Sequence, residues 1–559
     1  MIATAVLLAA ALATPRPAAA PPARPPPDER RAAEQVTPAL LSAHMKFLAS
    51  DLLEGRGPGT RGDALAQAYL EATLRGLGLA PAAPEGGYLQ PVPLVGVTTS
   101  VAQPPRFEGK GGALALEPAD YVANAGVPEP AVALDRAEVV FVGYGIVAPE
   151  FGWDDYARAD VKGKVVLVMN DDPSDDPAIF AGKARLYYGR WTYKYEEAAR
   201  HGAAGAIIIH TTPSASYPWQ VVQTSWSGEE FELEATAAGA APRLRVKMWT
   251  TEDATRRLAA LGGHDLDALR AAANRRGFAA VPLGVGLSVG LTARVSRTGT
   301  ANVLAKLPGS DPARAGEVVL LTAHHDHLGT KANARPGEDA IYNGAVDNAS
   351  GCAAVLAIAR ALAALPRAPA RTVVFAFVGG EEQGTLGSEW LALHPPVPIA
   401  RVAADLNLDG LNVFGRTRDL TLVGLGKSSL DEGARAVAAF QGRTVMGDPF
   451  PEKGVYYRSD HFSFAKVGVP SVSLGGGVDF VGRPPGWGKE NAEAWTARHY
   501  HQPSDEWTPD WDLSGLVEDA RLAFHVAVRV ANAPGLPRWR AGDEFEAVRA
   551  ASLASPAAP

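Results

Sequence analysis

The sequence predicts an α/β protein, a mostly parallel mixed sheet flanked by helices, interrupted by a smaller unit with its own core. Three observations predict it. Between about 300 and 530, continuous apolar strands alternate with helical segments, the pattern of strands buried on both faces. The stretch from about 136 to 289 has strand and helix texture of its own and no cluster of metal-ligand residue types at useful spacing. The 559 residues also exceed one ordinary core, since domains usually hold on the order of 100–200 residues.

Taken from the N-terminus, "MIATAVLLAAALATPRPAAA" holds an uncharged apolar stretch from Ile2 to Ala13 and then small residues, which predicts a secretory signal peptide over 1–20 and a secreted or periplasmic protein. The apolar stretch is shorter than the ~20 residues a bilayer span requires. No stable membrane insertion is expected later in the chain either. Residues 21–36, "PPARPPPDERRAAEQV", are rich in Pro and Arg and read as a linker. Apolar spacing at Leu40, Leu41, Met45, Leu48, Leu52 and Leu53 predicts a helix, and a Gly-rich turn precedes a second at about 63–76.

The middle stretch reads strand ("AEVVFVGYGIV"), strand ("GKVVLVMNDD"), helix ("RLYYGRWTYKYEEAARHGAAG"), strand ("AIIIHTT"). Beyond 300 come the strands of "EVVLLTAHHDHLG", "RTVVFAFVGGEE", "ARVAADLNLDGLN" and "SVSLGG", with helices between them and a last helix near 513–532. The loop 475–500, rich in Gly, Pro and Trp, is expected at the mouth of a site, where Phe480, Trp487 and Trp495 either line an apolar pocket or order the loop. The segment 536–559 reads as a C-terminal tail, of which "AASLASPAAP" looks disordered.

Net charge is −8, which argues against a broad nucleic-acid or anionic-membrane surface. The single cysteine, Cys352, allows no internal disulfide and no thiolate cluster. Any bound metal must therefore be held by His and carboxylates.

Such residues do recur at strand ends. His324 and Asp326 emerge two apart from "VVLLTA", a spacing that suits an imidazole whose second nitrogen is oriented by a carboxylate. His325 and His327 read as ordinary members of a solvated loop. Asp347 in "NGAVDNASG" precedes a helix whose N-cap is Asn348 or Ser350, although Asp347 could itself be the cap. Glu381 and Glu382 follow "TVVFAFV". In extended backbone they would point to different sides, one toward a metal and one toward a water. Asp409 ends another apolar strand and His501 precedes the final helix.

In open α/β sheets ligands bind beyond the carboxyl ends of the strands, so His324, Asp347, Glu382, Asp409 and His501 are expected along one edge. Two imidazoles and three carboxylates suit zinc first, with cobalt or manganese as substitutes. If one carboxylate bridges, each of two ions receives three protein ligands.

The ordered segments "AHHDHLG", "GAVDNASG", "GGEEQGTLGS", "NLDG", "SDHFSF" and "HQPSD" resemble those of the co-catalytic zinc aminopeptidases of peptidase family M28, across 37–135 and 290–535. The stretch 136–289 is similar to the β-rich α+β protease-associated domain that many members carry as an insertion. The resemblance implies that Asp347 bridges two zinc ions, with His324 and Asp409 on one and Glu382 and His501 on the other. It further implies that Glu381 is the general base acting on a bridging water, that Asp326 orients His324, and that Tyr456 contacts the substrate oxygen. The implied substrates are peptides or aminoacyl compounds, cleaved next to a free amino terminus. Carboxypeptidase-like and glutaminyl-cyclase-like members share the fold, and receptors with a protease-associated domain have lost the ligands. Here every ligand position is filled. Carboxypeptidase action would need a basic pocket for the substrate carboxylate, which no motif places.

Overall fold

The computed structural model describes residues 24–173, 179–226, 228–234, 242–331 and 334–554. The expected signal peptide lies outside them. Among the described residues one sixteen-stranded mixed sheet runs through the molecule. Its centre is parallel: Thr372–Val378, Val318–His324, Val402–Asn407 and Ser471–Gly476 lie side by side in that order, all pointing one way. The first three are buried along their whole length. Only an unbroken apolar sequence can be covered on both faces, and that is why these strands do not alternate.

The covering helices are amphipathic or wholly apolar. Pro38–Leu48, Ser350–Ala363 and Ser514–Asn532 enclose one core with the sheet. On the opposite face, Leu391 of Leu386–Leu393 and Phe464 of His461–Lys466 bury against Leu320, Val374 and Val402. The segment Ala345–Ala363 is apolar enough to cross a membrane by length and composition, yet 89% of it is buried inside the fold, so it serves as the central core helix.

Two long strands, Leu89–Gly109 and Val281–Leu307, pair from Leu89↔Val303 to Gly109↔Val285 and carry the sheet into a second core. There Ala131–Phe141, Val165–Met169, Gly205–His210 and Val246–Thr251 are parallel neighbours, and the helix Trp191–Arg200 lies against them through Tyr195, Ala198 and Ala199. This core already includes Val97, Phe107 and Leu116, so it starts well before the expected boundary at 136. The boundary falls inside a single strand, where no turn residue marks it.

Three other expectations are corrected. Residues 27–33, expected as linker, form a helix with Pro27 in its first turn, where a missing N–H costs nothing; Ala32, Ala33 and Val36 bury in the main core. The tail from 536 is docked as far as 554, since Trp539 and Phe545 bury against Tyr456 and Phe462 and the helix Glu546–Ala554 sends Arg549 to the carbonyls of Ile399 and Val402. The loop 475–500 contains the helix Trp487–Arg498. Its aromatics pack on one another and on the fold, Phe480 edge-on to Trp487 and Trp495 edge-on to Phe414, so they order the segment. Within the first predicted helix, Leu52 falls beyond the helix end and is 69% exposed.

Candidate metal centre

His324 is the last residue of its strand, and the other expected ligands converge on it. Its Nε2 lies 3.2 Å from Asp347 Oδ1 and 3.3 Å from Asp409 Oδ1. His501 Nε2 lies 3.3 Å from Asp347 Oδ2 and 3.1 Å from Glu382 Oε2. The two oxygens of Asp347 thus face two different imidazoles. Glu381 Oε2 is 4.0 Å from His324 Nε2. All five expected ligands and Glu381 therefore meet at one edge, as the strand-end argument required.

Each is held by its element. Asn348, not Asp347, turns its side chain to the start of the core helix, its Oδ1 accepting from the Gly351 N–H. That frees the Asp347 carboxylate, while the Asp347 N–H donates to Asp505 of the "HQPSD" segment. The strand bearing the glutamates ends at Val378, and Glu381 and Glu382 sit in a tight turn, not in extended backbone. Their N–H groups donate to the two oxygens of Asp326, at 3.1 and 3.3 Å. The Asp326 carboxylate stays 3.7 Å from His324 Nδ1, whose nearer partner is the Asp326 main-chain oxygen at 3.2 Å. Asp326 thus holds the glutamate turn first and the imidazole second.

At Gly379 a Cβ would meet Thr300 Oγ1 at 2.6 Å and His325 Cε1 at 3.1 Å. The glycine there admits neighbouring protein, not ions.

Tyr456 is in a different place from the one expected. Its hydroxyl donates to the Ser471 carbonyl at 3.2 Å, and its ring packs on His461, Tyr457 and Phe545. Tyr457 donates to Glu544. Both phenols are tied up by the C-terminal half of the chain.

Sequence reasoning missed several residues. His327 is fully buried, not solvated, with Nδ1 2.6 Å from Glu382 Oε1 and its ring edge-on to His501. His325 is buried against Asp63, 3.0 Å away on another helix. Arg56, buried, donates to the carbonyls of His325, Asn343 and Gly344 and ties both ligand loops together. Ser459 donates to Asp409 Oδ2 at 2.6 Å. The "SDH" and "HQPSD" motifs contained the signal for Ser459 and Asp505; nothing in the sequence pairs Asp63 with His325.

The electrostatics of the cluster are one-sided. Burial pushes the Glu381 carboxyl well above its ordinary range; His324 opposes this, and Glu382, Asp460 and Asp409 add to it. Burial also disfavours ionisation of Glu382, but His501 and His327 outweigh it and hold it at about 2. The His324 imidazole is raised well above its usual value, Asp409 and Glu381 overcoming the effect of burial. Several atoms here approach closely without hydrogen-bond geometry, among them His501 Nε2, Glu382 Oε1 and both nitrogens of His327. Imidazole and carboxylate atoms that converge without hydrogen-bond geometry, amid excess negative charge, fit a divalent cation. His324, Asp347 and Asp409 form one such group and His327, Asp347 and Glu382 another, ligand atoms within 4.8 Å in each.

The fold and this centre define a helix-flanked α/β protein with a His/carboxylate metal site at its strand ends. Residues 302–525 match the family model for Peptidase family M28, so this segment is similar to that family. It is 27% identical over 251 residues to leupeptin-inactivating enzyme 1 of Streptomyces exfoliatus, covering 44% of this chain and 51% of that protein. It is 38% identical over 109 residues to a probable zinc metalloprotease of Pyrenophora tritici-repentis, covering 19% and 21%. The match thus spans about half the length of the first relative and about a fifth of the second. Among solved structures, the aminopeptidase from Aneurinibacillus sp. strain AM-1 superposes with a TM-score of 0.50 at 22% identity, covering 91% of this chain and 97% of that one. This likeness shows the shared fold.

Proposed function

We propose that the chain is an exported metalloaminopeptidase that hydrolyses the N-terminal bond of peptides at a centre of two zinc ions. The observation that carries this reading is Asp347, whose two carboxylate oxygens face His324 and His501 separately, the arrangement a bridging ligand requires. His324 and Asp409 would complete one ion's protein ligands, and Glu382 and His501 the other's, with His327 at Glu382's second oxygen. Zinc bound there would polarise a scissile carbonyl and lower the pKa of water from about 15.7 towards 7.

The remaining chemistry belongs to the chain. Glu381, at the edge of the cluster and 12% exposed, accepts a proton from the attacking water and delivers it to the leaving amine. Asp326 holds the turn that aims it. A free α-amine held beside Glu382 and His501 would restrict cleavage to the N-terminal bond. The names of the relatives support the same reading: a zinc metalloprotease, an inactivator of leupeptin and an aminopeptidase. The apolar leader supports export. Cobalt or manganese would substitute for zinc, and the second unit is read as the family's protease-associated domain.

Turnover of aminoacyl-arylamides with and without chelator, together with metal analysis, tests this directly. Chelator-sensitive turnover and two zinc ions per chain are expected; a single tightly held ion at saturating zinc would remove the bridging role of Asp347.

A further inference from the structure

Asp405 lies inside Val402–Asn407, a central strand buried along its whole length, and none of its surface reaches solvent. Its Oδ1 meets the Thr322 hydroxyl at 2.9 Å, and its Oδ2 has no hydrogen-bond partner among the described residues. An ionised carboxylate buried with so little around it is costly.

Thr322 belongs to the neighbouring strand Val318–His324 and stands directly opposite Asn407. Its hydroxyl has one proton for two neighbours, since Asn407 Oδ1 is also 2.9 Å away. Asn407 Nδ2 donates to Ser459 Oγ at 2.8 Å, and Ser459 donates to Asp409 Oδ2 at 2.6 Å. An unbroken chain of hydrogen bonds therefore joins the buried Asp405 to the expected metal ligand Asp409.

Proton supply fixes the direction of every bond in that chain. A metal ligand binds as the carboxylate, so Asp409 Oδ2 accepts and Ser459 gives up its only hydroxyl proton. Ser459 must then accept, and the Asn407 amide nitrogen is what faces it. That turns Asn407 Oδ1 towards Thr322 as an acceptor, and Thr322 spends its only proton there. Thr322 has none left for Asp405, so Asp405 supplies the proton of the last bond. Its Oδ2 is then a carbonyl oxygen, which costs less to bury unpaired than an anion. Burial pushes the Asp405 carboxyl well above its ordinary range; the Thr322 hydroxyl opposes this and Asp460 adds to it.

We propose that Asp405, Thr322 and Asn407 form a positioning relay, headed by a protonated Asp405, that keeps Ser459 donating to Asp409 Oδ2 and leaves Oδ1 as the oxygen free to ligate. This rests on the metal-centre reading above. Asp409 Oδ1 is the oxygen 3.3 Å from His324 Nε2. Were Asp405 ionised, Thr322 would turn its proton to Asp405, the Asn407 amide would reverse, and Ser459 would donate to Asn407. Asp409 Oδ2 would then lose its donor.

Infrared difference spectra of the zinc-loaded full chain, wild type against Asp405→Asn in H2O and in D2O at neutral pH, read the proton directly. The wild type should show a protonated-carboxyl stretch that shifts in D2O and is missing from the variant. Loss of carboxylate bands in its place would overturn the proposal. Asp405→Asn should also keep zinc affinity and kcat/KM within a few-fold of wild type, because its amide N–H still donates to Thr322. A variant that fails to fold or loses zinc would mean that the charge is needed, which also overturns it. Thr322→Val cuts the relay and should weaken one of the two zinc ions by roughly 10–100-fold in a competition titration, leaving the other unchanged. Thr322→Ser should restore that affinity. Wild-type affinity in Thr322→Val, equal weakening of both ions, or no rescue by serine would reduce the chain of bonds to packing. Should Thr322→Val not fold, the infrared band and the Asp405→Asn affinity decide alone. If the wild type binds no zinc, the metal reading fails, and the infrared band still decides where the Asp405 proton is.

Discussion

Two clusters of buried ionisable groups lie at the carboxyl ends of parallel strands in this molecule, and they differ in balance. In the second unit, Lys194 is fully buried beyond the strands that end at Phe141 and Met169. It donates to the carbonyls of Tyr144 and Asp171 and is surrounded by Asp155, Asp171, Asp172 and Arg185. Burial brings Lys194 down to about 7 and Asp172 up to about 7, each partly restrained by the other. Asp155 accepts from Ile146 N–H and from the Trp153 indole. The charges nearly cancel, three carboxylates against two cations, and each carboxylate accepts a hydrogen bond or pairs with Arg185.

At the metal centre they do not cancel. Asp326, Asp347, Glu381, Glu382, Asp409 and Asp460 face His324, His327 and His501, and several lone pairs have no donor. Burial alone does not mark a functional site; uncompensated burial does. The balanced cluster is structural, and the unbalanced one calls for a cation.

The sharpest way to test this contrast is at Glu381. Glu381→Gln should cost roughly 10²–10⁴-fold in kcat while leaving metal content unchanged, whereas Glu382→Ala and His501→Ala should lose metal. Turnover of Glu381→Gln within a few-fold of wild type would mean that the proton moves through another group.

The balanced cluster makes the opposite prediction. Lys194→Met should destabilise the fold by about 3–5 kcal/mol in denaturant unfolding, because it leaves buried carboxylates without their cation. Metal uptake and kcat per folded molecule should stay as in the wild type. A Lys194→Met protein as stable as wild type would show that Asp155 and Asp172 are neutral without help, and the claimed difference between the clusters would collapse.

Saturating zinc should stabilise the apo-protein by about 2.7 kcal/mol per ion at a hundred-fold excess over its Kd, read as a rise in Tm. Glu382→Ala should reduce that rise by the share of one ion. An unchanged Tm with zinc would count against a built site.

Smaller again is the effect expected at His327. His327→Gln should weaken zinc binding by roughly 10–100-fold, the usual consequence of removing a group that orients a ligand. Unchanged affinity in a competition titration with a chromophoric chelator would reduce His327 to packing.

The main sheet was legible in the sequence because a strand covered on both faces must be apolar throughout, and "VVLLTA", "TVVFAFV" and "VAADLN" have no other use. The metal-site residues were legible for a related reason: His, Asp and Glu directly after such strands have to emerge at one edge. Capping was ambiguous at Asp347 because Asn348 and Ser350 offered the same chemistry one and three residues on, and only their actual hydrogen bonds separate the roles. His327 was misread because a polar run at a strand end looks solvated until Arg56 and Asp505, from distant segments, close over it. Tyr456 failed for the converse reason. Trp539 and Phe545 lie far along the chain, and a contact of that separation leaves no local pattern.

The sequence by itself determined the strands, the candidate ligand residues and the edge on which they gather, because periodicity and residue chemistry are local properties. Only the tertiary structure decided which carboxylate oxygen faces which imidazole and that Asp326 serves the glutamate turn. Those are relations between residues up to hundreds of positions apart, and distance and burial, which the order of residues does not encode locally, set their energies.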